Sequence, residues 1–477
     1  MFPNPVADDS FRVAVRALHD GSGLLHDLRD GTTLLEPAQH EGLINSHQLS
    51  PDGGRLVTGS QDRTARLWDL HMRRSEAGLI DNGGPVELLS LSPDGNRLAV
   101  AGNRQIRLYE LATGRLLTEP IQEPDYVPFV NFSKDGRFIT SACSDTTVRL
   151  LDGTNGRPLL SNRAHTIRVW KAFLSPDAHL LASSGDNNEV HVLDVSSNRP
   201  AFAPLKHEDA VKHVEFSRDG RRLVSTSADS TARVWDSVNG QSLVPPLRHK
   251  GTVSTACFSS DGRRVLTASA DRSAQVWDAV TGQPLAPAIR SDQGLRGACF
   301  SRDDRRVLIY TLNSAQIFDA STSRPMTPPM RHSDRVSMAA FSPDERWVAT
   351  ASADSTARIW DASSGFPVTE PFRHAQAVTT LAWLSDSRHL LTGSRDGTIR
   401  RWSLPGVATA PAWLPDLAEA LAGKRSEPGG GSVPVTVDRL DDLRRQAATP
   451  GSDPDQRWLH WFLVQRLESP DRRPPDQ

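Results

Sequence analysis

The stretch His332–Asp361, HSDRVSMAAFSPDERWVATASADSTARIWD, decides how the whole chain is read. It opens on a histidine and continues with an alternating apolar run, a Ser-Pro-Asp turn, a second alternating run, an Ala-Asp-Ser turn and a third run ending Trp-Asp. Runs with a period of two, joined by short polar turns, predict three antiparallel strands of one small sheet. The residues that follow, ASSGFPVTEPFRH, supply a turn at Ser364-Gly365 and a fourth, proline-bearing strand. Proline cannot donate to a ladder, so the fourth strand is expected at the outer edge.

Working outward, the Trp-Asp pair or a substitute recurs at His26-Asp27, Trp68-Asp69, Tyr109-Glu110, Leu151-Asp152, Leu193-Asp194, Trp235-Asp236, Trp277-Asp278, Phe318-Asp319, Trp360-Asp361 and Trp402-Ser403. Successive spacings are 41 or 42 residues, a period that marks a repeat architecture. The turn between the first two strands recurs too, as Ser50-Pro51-Asp52-Gly53, Ser92-Pro93-Asp94-Gly95, Ser133-Lys134-Asp135-Gly136, Ser217-Arg218-Asp219-Gly220 and Ser342-Pro343-Asp344-Glu345. Proline and glycine there set the backbone angles of a tight turn.

These repeats resemble those of the WD40 family, over roughly residues 11 to 410. The resemblance implies a β-propeller of four-stranded sheets, all-β, in which the strand after Trp-Asp completes one blade and the rest of the repeat builds the next.

Five copies of a polar set share one spacing. They are His40, Ser60, Asp62 and Trp68; His207, Ser227, Asp229 and Trp235; His249, Ser269, Asp271 and Trp277; His332, Ser352, Asp354 and Trp360; and His374, Ser394, Asp396 and Trp402. A nucleophilic triad needs one serine in one cleft beside an oxyanion hole, whereas a repeated set needs only a repeated structural task. The expectation is a buried network in each blade that satisfies its own polar groups, which is also what the family resemblance implies. No catalytic residue and no cofactor is assigned. No His/Cys pair has finger-like spacing, so no metal is assigned either. The glycines Gly429-Gly430-Gly431 lack the lysine and the preceding strand of a phosphate loop and are expected to form a flexible linker.

Composition bounds the partners. The chain has 477 residues, 37% hydrophobic and 23% charged, with a formal net charge of −2. That is globular composition without the clustered cations that nucleic acid or an anionic membrane demands, so neither is expected as a partner. The three cysteines, Cys143, Cys257 and Cys299, sit in strand patterns and are expected to be small core residues in a reducing compartment. With no signal-like N-terminus and no long apolar run, a cytoplasmic location is the expectation.

About ten repeats exceed the four to eight blades usual for one propeller. The expected division is residues 11–113 as the first repeats, the first of them incomplete and the group the tail of another propeller whose upstream part is missing; 114–410 as a ring of about seven blades with its seam near Gly114 to Asp125; and 411–477 as a helical tail with the Gly-rich linker, the alternative being one oversized or open array of all the repeats. Helices are expected at residues 414–422, 437–447 and 455–467. The tail resembles the segment that ends WD40 arrays in large bacterial Ser/Thr protein kinases, although no Gly-rich loop with its lysine, no His-Arg-Asp loop and no Asp-Phe-Gly occurs here.

The function expected from this reading is a non-catalytic scaffold for protein or peptide partners. The variable loops place Trp170, Lys171, His213, Arg296 and Arg335 among the partner-binding candidates. The alternatives are a regulatory fragment of a bacterial kinase, or an enzyme with its pocket at the propeller channel.

Overall fold

Period-two patterning becomes sheet in the computed structural model, which describes residues 79–404 apart from Asn103, Ala164 and Glu370, and, outside that span, the backbone of short strands. The chain divides into two compact units, one of Glu76–Leu404 and one of Met1–Ser75 with Pro405–Gln477.

The larger unit is a closed ring of eight antiparallel sheets. Blades 1 to 7 span residues 88–122, 129–162, 169–206, 211–248, 253–290, 297–331 and 336–373. Blade 8 takes Val378–Trp383, His389–Ser394 and Thr398–Ser403 and receives its outermost strand, Leu79–Asp81, from the start of the unit. Ile80 pairs with Ile399, and the Val86 N–H donates to the Ser394 carbonyl at 3.0 Å. The closing contact thus joins residues more than 300 positions apart.

Blade 4 shows why the sequence folds this way. Val211–Phe216, Arg222–Ser227, Thr231–Asp236 and Leu247–Arg248 pair in chain order, and the last, with Pro245 and Pro246 before it, is outermost, as proline requires. The Ser-x-Asp-Gly turn is held by its own side chains. Ser217 Oγ donates to Asp219 Oδ1 at 2.6 Å and accepts the Arg222 N–H at 3.0 Å, while Gly220 takes φ of 73°, where a side chain would be strained. The second strand is buried along almost its whole length because neighbouring blades cover both of its faces. Arginines at the start of this strand cross the blade seam and lie over a phenylalanine of the next blade: Arg97 over Phe132, Arg222 over Phe258, Arg264 over Phe300 and Arg306 over Phe341, at 5.2 to 5.6 Å.

The ring therefore holds eight blades, neither the ten of the whole array nor the seven expected after residue 114. Its closure lies at Leu79–Asp81, well before the expected seam at Gly114 to Asp125. Loss of the regular histidine suggested a break there, but Glu123 simply fills the histidine place of blade 2, and in blade 1 Asn82 fills it, accepting the Tyr109 hydroxyl at 3.0 Å. The first two Trp-Asp positions fall in the smaller unit. There Val13–Ala17, Ser22–Asp27 and Thr33–Gln39 form one three-stranded sheet, and Ile44–Leu49, Arg55–Ser60 and Ala65–Asp69 another. Lys424–Ser426 and Ser432–Pro434 pair antiparallel, and the glycines Gly429–Gly431 expected to form a linker lie outside the described residues. The three expected helices lie outside the described residues.

Candidate interaction face

Because strands run antiparallel, each turn between second and third strands emerges at the same end of the ring as the loop leading into the next blade. This end, the upper one, carries every functional candidate.

In blade 4, His207 Nδ1 lies 2.9 Å from Asp229 Oδ2 and Nε2 2.7 Å from Ser225 Oγ, and the Trp235 indole N–H donates to that same hydroxyl at 2.8 Å. Blades 5, 7 and 8 repeat the relay with a threonine: His249 and Trp277 meet Thr267, His332 and Trp360 meet Thr350, and His374 and Trp402 meet Thr392, all at 2.7 or 2.8 Å. The indole can only donate, so the hydroxyl accepts from it and gives its own proton to Nε2, which leaves the imidazole proton on Nδ1, facing aspartate. Burial disfavours the imidazolium and depresses His374 to about 4. Burial alone would raise the Asp229 carboxyl, yet bonds from Thr231, the Glu208 N–H and His207 outweigh it and hold the group at about 2.

The hydroxyl of the relay is therefore ten residues before the tryptophan, not eight. Trp235 pairs with Leu223 across the strands, so Ser225 is its diagonal neighbour on the same face. Ser227 stands two residues further on, at the strand end, and does something else: it donates to the Asp209 carbonyl at 2.7 Å and accepts the Asp229 N–H at 3.0 Å. Ser269, Ser352 and Ser394 make the same two bonds. His40, Ser60, Asp62 and Trp68 lie outside the described residues in their side chains.

A hydroxyl, imidazole and carboxylate in line have the connectivity of a nucleophilic triad. Chemistry is closed to them here, because Ser225 is 0% exposed and its oxygen is capped by an indole, so no carbonyl carbon can approach. Blade 3 contains a relay that the Trp-Asp spacing did not reveal: His165 bonds Asn187 and Ser183, each at 2.8 Å, with Leu193 in the tryptophan place. Its signal was the position of His165, 42 residues before His207.

Blade 2 fills the same socket differently. Glu123 replaces histidine, and Arg149 reaches both it and Asp145, at 2.5 and 3.1 Å. Burial pushes the Glu123 carboxyl up to about 7, against the opposing pull of Arg149. Donor atoms of Glu123, Cys143 and Asp145 lie within 4.8 Å of one another, a spacing that could hold a metal ion. The Arg149 guanidinium already supplies that place with a cation. All three cysteines are free.

The five partner-binding candidates separate into three groups. Lys171 and His213 occupy equivalent places just after a bulge in the first strands of blades 3 and 4, which stand around the ring centre. Lys171 Nζ sits 4.7 Å over the Phe129 ring, and burial lowers its ammonium to about 8. His213 packs against Phe173 at 5.6 Å between ring centres, and Phe173 against Phe129 at 4.8 Å. Trp170 is fixed by an indole bond to Asp186 at 2.7 Å, with Arg168 and Lys212 over its ring. Arg296 and Arg335, on blades 6 and 7, are exposed, and neither has a carboxylate within 4.0 Å among the described residues.

The WD domain, G-beta repeat model matches residues 31–69, 121–152, 203–236, 242–278, 327–361 and 365–403. The ring is a WD40 propeller. Human Coronin-7 is 33% identical to this chain over 136 residues, 26% of this chain and 15% of Coronin-7. Mouse Coronin-7 is 32% identical over 122 residues, 24% and 13% of the two chains. This WD40 chain thus spans a small part of the length of these relatives. The crystal structure of the computationally designed Ika8 protein superposes with a TM-score of 0.59 at 22% identity, covering 67% of this chain and 96% of that one, which shows the fold alone. No helix among the described residues is long and apolar enough to cross a membrane.

Proposed function

We propose that this protein is a non-catalytic scaffold whose upper face binds protein or peptide partners. The observation that carries the reading is the relay itself: the residues that look most like chemistry are buried, saturated with internal bonds and repeated from blade to blade. What varies between blades is the loop surface, including Trp170, Arg296 and Arg335, and function on a shared fold resides in such surfaces. The coronin likeness is consistent with a binding role.

The test is proximity cross-linking of the full chain in cells of its source, followed by mass spectrometry. Reproducible protein partners cross-linked to upper-face lysines are expected. Labelling of Ser225, Ser227 or Thr350 by a serine-directed phosphonate, with no partner recovered, would contradict the scaffold.

A further inference from the structure

The last residue before the histidine position is basic in five successive blades: Lys206, Arg248, Arg290, Arg331 and Arg373. All five are exposed and end the outermost strands of blades 3 to 7 at the upper end of the ring. Their cross-strand neighbours are Glu189, Thr231, Ser273, Ser314 and Thr356, so only Lys206 faces an acid across its pair. Between this rim and the ring centre stand Lys250, Arg272, Arg296 and Arg335, also exposed. Among the described residues no carboxylate comes within 4.0 Å of Arg248, Arg290, Arg331, Arg296 or Arg335.

Several acids on the same loops are spent locally. Asp209 and Asp334 accept the backbone N–H of the residue that follows each, and Asp186 takes the Trp170 indole and Lys212. The relay aspartates Asp229, Asp271 and Asp354 face histidine. Glu208, Asp209, Asp292 and Asp334 remain exposed among the cations. At the lower end the balance differs, because Arg221, Arg263 and Arg305 each sit in a turn with its own aspartate, Asp219, Asp261 and Asp303, whose carboxyl feels that arginine.

We propose that the upper rim of blades 3 to 7 docks an acidic polypeptide segment of a protein partner. This deepens the scaffold reading and rests on it. Cations spaced one per blade, with acids interspersed, match carboxylates spaced along a folded or extended acidic segment. A polyphosphate backbone, which carries charge at every step, would meet Glu208 and Asp292 as well, and the chain as a whole carries a net charge of −2.

The probe is a fluorescein-labelled Asp/Glu-rich peptide, titrated with the full chain at low and at physiological salt and read by anisotropy. Wild type should bind, and more weakly as salt rises. R248E/R290E/R331E should weaken binding by about tenfold or more, whereas R221E/R263E/R305E, equal in charge change at the other end, should alter it by less than about twofold. Circular dichroism checks that both variants fold, and R290E alone should give an intermediate loss if the triple variant does not. No binding by wild type at low salt, an equal loss in the lower-end variant, or tighter binding of a single-stranded oligonucleotide or of anionic vesicles than of the peptide would overturn the proposal. The cross-linking experiment separates the two readings. Partners joined to Lys206 and Lys250 support this one, and partners joined only near Lys134, at the lower end, overturn it while leaving the scaffold standing.

Discussion

Blade 4 and blade 2 place the same backbone around the same socket and fill it with opposite chemistry. In blade 4 a neutral histidine links a carboxylate to a hydroxyl and an indole, and every donor of that relay finds an acceptor. In blade 2 a glutamate occupies the histidine place, an arginine spans it and Asp145, Leu151 replaces the indole, and Ser141 Oγ, which stands where Ser225 stands, has no hydrogen-bond partner. The ring closes regardless. The same place in these two blades thus tolerates more than one polar filling, the less saturated version retaining a buried carboxyl, while blades 1 and 6 carry Val100 and Ile309 where Ser225 stands.

The largest effect should come from breaking the saturated version. Trp360→Ala removes a buried indole and leaves the Thr350 hydroxyl without its donor, and should cost about 3–5 kcal/mol in denaturant unfolding. An unchanged midpoint would show that the relay contributes nothing. Next, Asp354→Ala strands the His332 Nδ1 proton, the Ser333 N–H and Thr356 together, for a loss of about 1–3 kcal/mol. In blade 2 the matching change, Asp145→Ala, should leave Arg149 paired with Glu123 and cost less than Asp354→Ala does.

Thr350→Val sharpens the comparison within one blade. It keeps the shape and deletes the hydroxyl that accepts from Trp360 and donates to His332, and should cost about 1–2 kcal/mol. Ser352→Ala leaves that relay whole and deletes instead the bonds to Asp334 and Asp354 backbone. If the ring-flip signals of the His332 imidazole and the Trp360 indole N–H shift by NMR in Ser352→Ala but not in Thr350→Val, the assignment of the hydroxyl is wrong.

Much of this was legible in the residues. Period-two runs, the 41 to 42 residue repeat and the proline-bearing fourth strand carried the fold class and the order of strands within a blade. Blade number was less legible, because closure depends on Leu79–Asp81 pairing with Thr398–Arg400, a contact that no local pattern announces. The serine eight residues before the tryptophan misleads because Ser227, Ser269, Ser352 and Ser394 are the same in kind, while the true relay partner alternates between Ser225 and the threonines Thr267, Thr350 and Thr392. Pleat geometry, not residue identity, selects it. Loop variability points to Lys171 and His213 as face residues, yet each follows a bulge and packs on an aromatic ring of the preceding blade, Phe129 and Phe173.

The two sockets should also titrate in opposite senses. The relay histidines are held neutral by burial, with His374 at about 4 against an ordinary 6.5, so the unfolded chain binds the extra proton and stability falls as pH drops from about 6.5 toward 4. Glu123 is raised from 4.5 to about 7, so here the folded chain holds the extra proton, and this contribution, full below pH 4.5, is lost as pH rises to about 7. Glu123→Gln removes the second effect and leaves the first. Denaturant unfolding of wild type and Glu123→Gln across this range tests most directly that these buried groups are structural sockets tied to folding. The variant should gain on wild type by roughly 1 kcal/mol per pH unit between pH 5 and 7 and no further above pH 7, whereas a difference that stays constant from pH 5 to 8 would contradict it.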